Sequence, residues 1–259
     1  MTQVFPTTSA DFVLVHAPAF FDFRDRGDIY FPYLSTSGDV PITPLYEYFP
    51  VGFKTLQRFL TERGYDVKII NLSTVLLRFP NLDIKALIRA IRAPLFGIDL
   101  HWMVHVQGSL KLAELIKNIH PEAPVIFGGI SSTYFAEQLI RFPFVDMVMR
   151  GYDTLEPMAG LLRAMKGDHR FQDVQNLIWK DESGEIVDNR HSYLPDTYSC
   201  GIDWSSIPHE STTLDWMGRE LAAEDIEALW NGEPRRLSPL DDRSGARATP
   251  TRQANRRTF

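Results

Sequence analysis

The residues best suited to chemistry stand in four short segments, each directly after an apolar run. Phe12-Val-Leu-Val-His16 leads into Ala17-Pro18-Ala19-Phe20-Phe21, and Leu95-Phe-Gly-Ile-Asp99 leads into Leu100 and His101. Val125-Ile-Phe127 is followed by Gly128, Gly129, Ser131, Ser132 and Thr133, and Met149 by Arg150-Gly151-Tyr-Asp-Thr. His101 and His105 have the spacing that puts two imidazoles on one helix face, where a metal ion can take them. Without the carboxylate of a His-Glu-x-x-His set, hydrogen bonding to backbone or ligand is the plainer role. Paired glycines after a strand permit backbone conformations and close approaches that a Cβ would block. The hydroxyls behind them can cap a helix, although an ordinary tight turn explains such a pair equally well. Gly151 can turn the chain, and Asp153 or Thr154 can cap the next helix. Gly-x-Gly-x-x-Gly and Gly-x-x-x-x-Gly-Lys-Ser/Thr are both absent, so neither dinucleotide nor P-loop chemistry is indicated. There is no Gly-x-Ser-x-Gly elbow, and Cys200 sits in a polar segment without an evident base. Asp22 with Asp25, and Glu220 with Glu224, read as solvated surface.

These segments need strands that end together. Strands are expected at Phe12–His16, Asp66–Asn71, Leu95–Asp99, Val125–Phe127 and Val145–Met149. Helices are expected at Pro50–Gly64, Leu82–Ile91, Gly108–Ile119, Thr133–Arg141 and Leu155–Lys166. Short apolar strands alternating with amphipathic helices specify βαβ crossovers and a parallel sheet. The expected fold is a doubly wound, five-stranded parallel α/β domain over residues 12–166, Rossmann- or flavodoxin-like, with strand order 2-1-3-4-5. In such a sheet a ligand sits at the carboxyl ends of the strands, where the four segments lie. The loop from Ala17 to Phe49 is far longer than an ordinary βα connection and rich in aromatic rings, suiting either a ligand wall or a satellite core. A β-hairpin, Asn176–Trp179 with Glu185–Val187, is expected within an extension over 167–204. Residues 205–259 hold one weak helix, Arg219–Trp230, and an ending with seven arginines and no lysine, which reads as disordered.

Composition narrows the partners. A net charge of −6 argues against general attraction to nucleic acid, and no apolar run is long enough to span a bilayer. Met1 to Asp11 lacks the build of a secretory signal, so a cytoplasmic protein is expected. The single cysteine excludes an all-cysteine zinc or iron–sulfur site within one chain.

In order, His16-Ala-Pro, Pro50-Val-Gly-Phe with Gly64-Tyr-Asp-Val, Gly97-Ile-Asp-Leu-His-Trp, Pro124-Val-Ile-Phe-Gly-Gly129 and Val148-Met-Arg-Gly-Tyr-Asp-Thr-Leu-Glu156 resemble the cobalamin-binding domain that precedes B12-dependent radical SAM proteins. The likeness runs from about Phe12 to Trp204. It implies cobalamin at the carboxyl edge of the sheet, its dimethylbenzimidazole tail passing Gly128 and Gly129. Asp99, Leu100 and His101 would lie beside the tail. Pro18, Phe20 and Phe21 would face the lower side of the corrin, and His16, Ser131 and Gly151 complete the implied cofactor-binding set.

Two departures matter. The Asp-x-His-x-x-Gly signature of methionine-synthase-type domains is missing after the first strand; Asp99-Leu-His101 follows the third, with Val104 at the glycine position. The resemblance therefore implies base-off cobalamin without a protein histidine on cobalt, His16 being the nearest candidate to the contrary. The Cys-x-x-x-Cys-x-x-Cys motif of radical SAM enzymes is also missing, so no [4Fe–4S] cluster is expected in this chain. The sequence reads as a cobalamin-binding module, either a truncated or frame-shifted member or a carrier working with a separate radical SAM catalytic domain. Alternatives are the amino-terminal half of a glycosyltransferase-like enzyme and a ligand-free flavodoxin-like interaction domain.

Overall fold

A computed structural model of the chain describes residues 5–22, 24, 50–79, 81–167, 169–190 and 192–197. All lie in the first of the two units into which the chain divides, Met1–Glu220 and Leu221–Phe259. Most of the aromatic loop, Cys200, the helix expected at Arg219–Trp230 and the arginine-rich ending fall outside the described residues.

Five parallel strands form the centre: β1 (Phe12–His16), β2 (Val67–Asn71), β3 (Phe96–Asp99), β4 (Val125–Gly128) and β5 (Met147–Met149). Their order is β2-β1-β3-β4-β5, as the sequence pattern predicts. The hairpin strands β6 (Leu177–Lys180) and β7 (Ile186–Asp188) continue the same sheet antiparallel beyond β5, giving seven strands. A two-residue parallel pair, Thr8–Ser9 with Ile91–Arg92, lies apart from it.

Among the described residues, seven α-helices accompany the strands: α1 (Val51–Thr61), α2 (Leu72–Arg78), α3 (Ile84–Ala90), α4 (Val106–Ile119), α5 (Ile130–Tyr134), α6 (Ala136–Leu139) and α7 (Leu155–Lys166). Sequence periodicity missed α2, which starts directly from the end of β2. It also merged α5 and α6, between which Phe135 leaves helical geometry. Asp83 starts α3 by accepting the Ala86 N–H at 3.0 Å, as an N-cap should. No helix among the described residues is long and apolar enough to cross a membrane.

Pleat alternation sorts the strand residues into two cores. Val13, Val15, Phe96, Ile98 and Phe127 pack with α3 and α4 on one side of the sheet. Phe12, Leu14, Ile126 and Met149 join Phe53 and Leu56 of α1 and Met158 and Leu162 of α7 on the other. Gly97 lies between Phe96 and Ile98, so it faces the α1 and α7 side. That second layer carries the site.

Candidate functional site

Strand register lines up two rows on this face. Leu14, Gly97 and Ile126 are neighbours across β1, β3 and β4. Toward the carboxyl edge, Asp99 is paired with Gly128, and His16 stands beside Asp99. Each row contains a glycine. A Cβ at Gly97 would lie 2.6 Å from the tip of the Phe12 ring and 2.8 Å from Leu14, so the missing side chain lets both lean across β3. At Gly128 a Cβ would meet nothing within 4 Å. The space left open is a cavity of about 630 Å³ between the sheet and helices α1 and α7.

Phe12, Leu14, Phe53, Ile126, Met149 and Met158 form its apolar walls, and Asp99, His101, Asp153 and Thr154 supply the polar side chains nearer the strand ends. Trp102, Ile130 and Tyr152 also line it; Trp102 is 57% and Tyr152 72% exposed, so large rings stand in water at the mouth. Hydroxyls of Tyr134 and Tyr152 meet at 2.7 Å beside it. A pocket of this size, largely apolar with a few polar groups at its entrance, is the usual form of a small-molecule site.

The loops at the edge are held by specific bonds. Gly129 has φ +104°, a conformation that disfavours side chains, and its backbone approaches Leu100 so closely that a Cβ would stand 3.0 Å from the Leu100 carbonyl group. The Leu100 N–H donates to the Gly128 carbonyl at 2.7 Å, and the Ser132 N–H to the Leu100 carbonyl at 3.2 Å. The hydroxyls after the glycine pair do not cap α5. Ser131 donates to the His101 carbonyl, Ser132 to that of Gly128 and Thr133 to that of Gly129, each at 3.0 Å. Thr133 also accepts the Gly151 N–H at 3.0 Å, tying the third and fourth loops together. Asp153 accepts the Leu155 N–H at 3.0 Å just ahead of α7, whose N-cap residue, Thr154, makes no side-chain capping bond.

His16 Nδ1 stands 2.9 Å from both carboxylate oxygens of Asp99, with His16 almost fully buried. An ionised carboxylate only accepts, so this contact places the proton on Nδ1. The ring of His105 lies 5.0 Å from that of His16 and is equally enclosed. His101 lines the cavity instead. It precedes the 3₁₀ turn Met103–His105, so the two histidines do not share a helix face. Burial holds the His101 imidazole below its ordinary range, opposed by the charge of Asp99 and assisted by His105 and His16.

Among the residues singled out from sequence, Asp99, His101, Gly128, Gly129 and Gly151 line the cavity. Leu100 and Ser131 are buried immediately behind, and His16 braces Asp99 from the core. Pro18, Phe20 and Phe21 lie outside the lining. Pro18 is buried beneath α4, where its carbonyl would be 1.7 Å from a Cβ on Gly108. Phe21 is held through its main chain by Gln107, whose oxygen accepts the Phe21 N–H at 2.8 Å and whose amide donates to the Phe21 carbonyl at 3.2 Å. Gly97 and the apolar walls escaped the sequence reading as site residues. Glycine inside an otherwise β-branched and aromatic strand was the available signal.

Fold and cavity define a Rossmann-like domain with a largely apolar cavity at the carboxyl edge of its sheet. The model of the B12 binding domain matches residues 39–159 of the chain. The cavity lining from Pro50 to Met158 falls within that span, while β1 precedes it.

No curated protein sequence matches the chain. Among solved structures, the radical S-adenosylmethionine methyltransferase TsrM from Kitasatospora setae, with tryptophan substrate and a SAM analogue bound, aligns at 16% identity and TM-score 0.49. That alignment covers 67% of this chain and 29% of TsrM. The cobalamin-dependent S-adenosylmethionine radical enzyme OxsB, with aqua-cobalamin and S-adenosylmethionine bound, aligns at 17% identity and TM-score 0.48, over 73% of this chain and 23% of OxsB. The chain thus spans under a third of either protein.

Proposed function

We propose that the chain binds cobalamin base-off, with its nucleotide tail in the cavity beside Gly128 and its corrin on the apolar mouth formed by Trp102, Ile130 and Tyr152. The observation that carries this reading is the open side of Gly128: within the residues that the B12 binding domain model matches, the central strand lacks a side chain where the cavity begins. A corrin with its amide arms is too wide for a slot between a sheet and two helices, whereas a nucleotide tail is narrow enough to enter. A tail so placed cannot also ligate cobalt. His16, enclosed and turned by Nδ1 to Asp99, supports a role as brace for Asp99 over one as cobalt ligand.

Bound cobalamin supplies methyl-group or electron-transfer chemistry at cobalt, and the protein supplies placement. Asp99 and His101 border the tail. Gly129 and Ser131 fix the main chain around it, and Thr133 keeps the Gly151 loop in register with that of Gly129. The ordered motifs from His16-Ala-Pro to Glu156 further support service to a radical SAM methyltransferase.

The test is to titrate the full chain with hydroxocobalamin, following absorbance, beside Gly128→Val. Valine is a good strand former and meets open space at this position, so the variant is expected to fold while filling the cavity entrance. Saturable binding with a base-off spectrum, reduced roughly a hundredfold or more in the folded variant by an obstructed desolvated contact, is expected. Absence of binding by the folded wild-type chain would reject the reading.

A further inference from the structure

We infer that the cavity selects cobamides by their lower base, accepting an apolar-edged base of benzimidazole or phenol type and discriminating against a purine. This rests on the cobalamin reading and adds a ligand preference to it. Among the described residues, Phe12, Leu14, Phe53, Ile126, Met149 and Met158 wall the cavity between the sheet and helices α1 and α7, joined by Thr55, whose hydroxyl donates to the Val51 carbonyl of its own helix at 3.5 Å. The six apolar side chains offer no conventional hydrogen-bond donor, and thioether sulfur is at most a weak acceptor.

Backbone at this depth does not compensate. The parallel ladder pairs β1 with β2 and β3, and β4 with β3 and β5, so the sheet floor belongs to interior strands whose peptide groups serve their neighbours. Apart from Thr55, the polar groups Asp99, His101, Asp153 and Thr154 stand toward the strand ends, where Asp99 is engaged by His16 and Asp153 by the Leu155 N–H.

Benzimidazole carries two ring nitrogens, one consumed by the glycosidic bond, and its methyl groups gain by burial among Leu14, Ile126 and the two methionines. Adenine brings an amino group and additional ring nitrogens into the same walls, where hydrogen bonds to water are lost without replacement. Each group stranded in this way weakens binding by about tenfold. Flexible methionines can adjust to a change of ring shape but not of polarity.

The full chain is titrated with hydroxocobalamin, a cobamide bearing a cresol lower base and one bearing adenine, each measured by absorbance and calorimetry. Cobalamin and the cresol analogue are expected to agree within about threefold, as similar apolar burial requires, and the adenine form to bind at least about tenfold more weakly. Met158→Gln, which sets a donor and acceptor in the wall, is expected to narrow the gap. Equal or tighter binding of the adenine form to wild-type protein would overturn the inference while leaving cobalamin binding intact. Failure of all three to bind would overturn the cobalamin reading and the base preference together.

Discussion

Adding one methyl group at Gly108 would place its carbon 1.7 Å from the Pro18 carbonyl oxygen, a main-chain atom that can move only if the whole loop after β1 moves. Gly108→Ala is therefore expected to destabilise the protein by about 3 kcal/mol or more, as overpacking against backbone does, read as a lowered denaturant midpoint. The Gly128→Val substitution proposed above separates binding from folding because that site is open, whereas Gly129→Val would confound them: its φ is +104°. His101 carries a second residue-scale expectation. Burial lowers its folded-state value below the ordinary 6.5, so the unfolded chain takes up the proton first as pH falls. Its contribution to stability is complete above 6.5 and is lost as pH drops through the folded value. His101→Gln should flatten that part of the stability profile, measured by urea unfolding between about pH 7.5 and 5. If wild type and variant lose stability in parallel across that range, His101 is not the group responsible.

Among the elements, the hairpin is secured by Asn189. Its amide donates to the Phe171 and Val174 carbonyls at 2.6 and 2.8 Å, and its oxygen accepts the Trp179 indole N–H at 3.0 Å. Asn189→Ala removes all three bonds and leaves partly or fully buried groups unsatisfied, so a loss of about 2–4 kcal/mol is expected. Equilibrium denaturation checks it. The five parallel strands were legible because each is a short apolar run bounded by polar residues, and β1 matches its expected limits, Phe12–His16. Attachment of the hairpin to β5 was not legible, because pairing such as Val148 with Ile178 depends on which sheet edge remains open. Nor was α2, since Leu72–Arg78 follows β2 without a connecting segment or breaker.

At the scale of the whole molecule, the carboxyl edge could be read from the order of strands and helices, and with it the location of Asp99, His101, Gly128, Gly129 and Gly151. What the sequence did not disclose was depth. The apolar walls look like ordinary core in a linear sequence, and only pairing reveals that Gly97 and Gly128 remove side chains from two adjacent rows. Nor does proximity to a strand end specify which side of the sheet a loop follows: Gly108 and Gln107 draw the loop holding Pro18 and Phe21 toward α4, away from the cavity lining. The central position of β1 also bears on how the molecule is made. Leaving the ribosome first among the sheet strands, it must wait for residues 67–71 on one side and 96–99 on the other before both edges are covered. Nascent chains that stall before Asp99 would therefore expose Phe12, Val13, Leu14 and Val15, all buried in the finished sheet, making this an interval of synthesis in which a chaperone has much to protect.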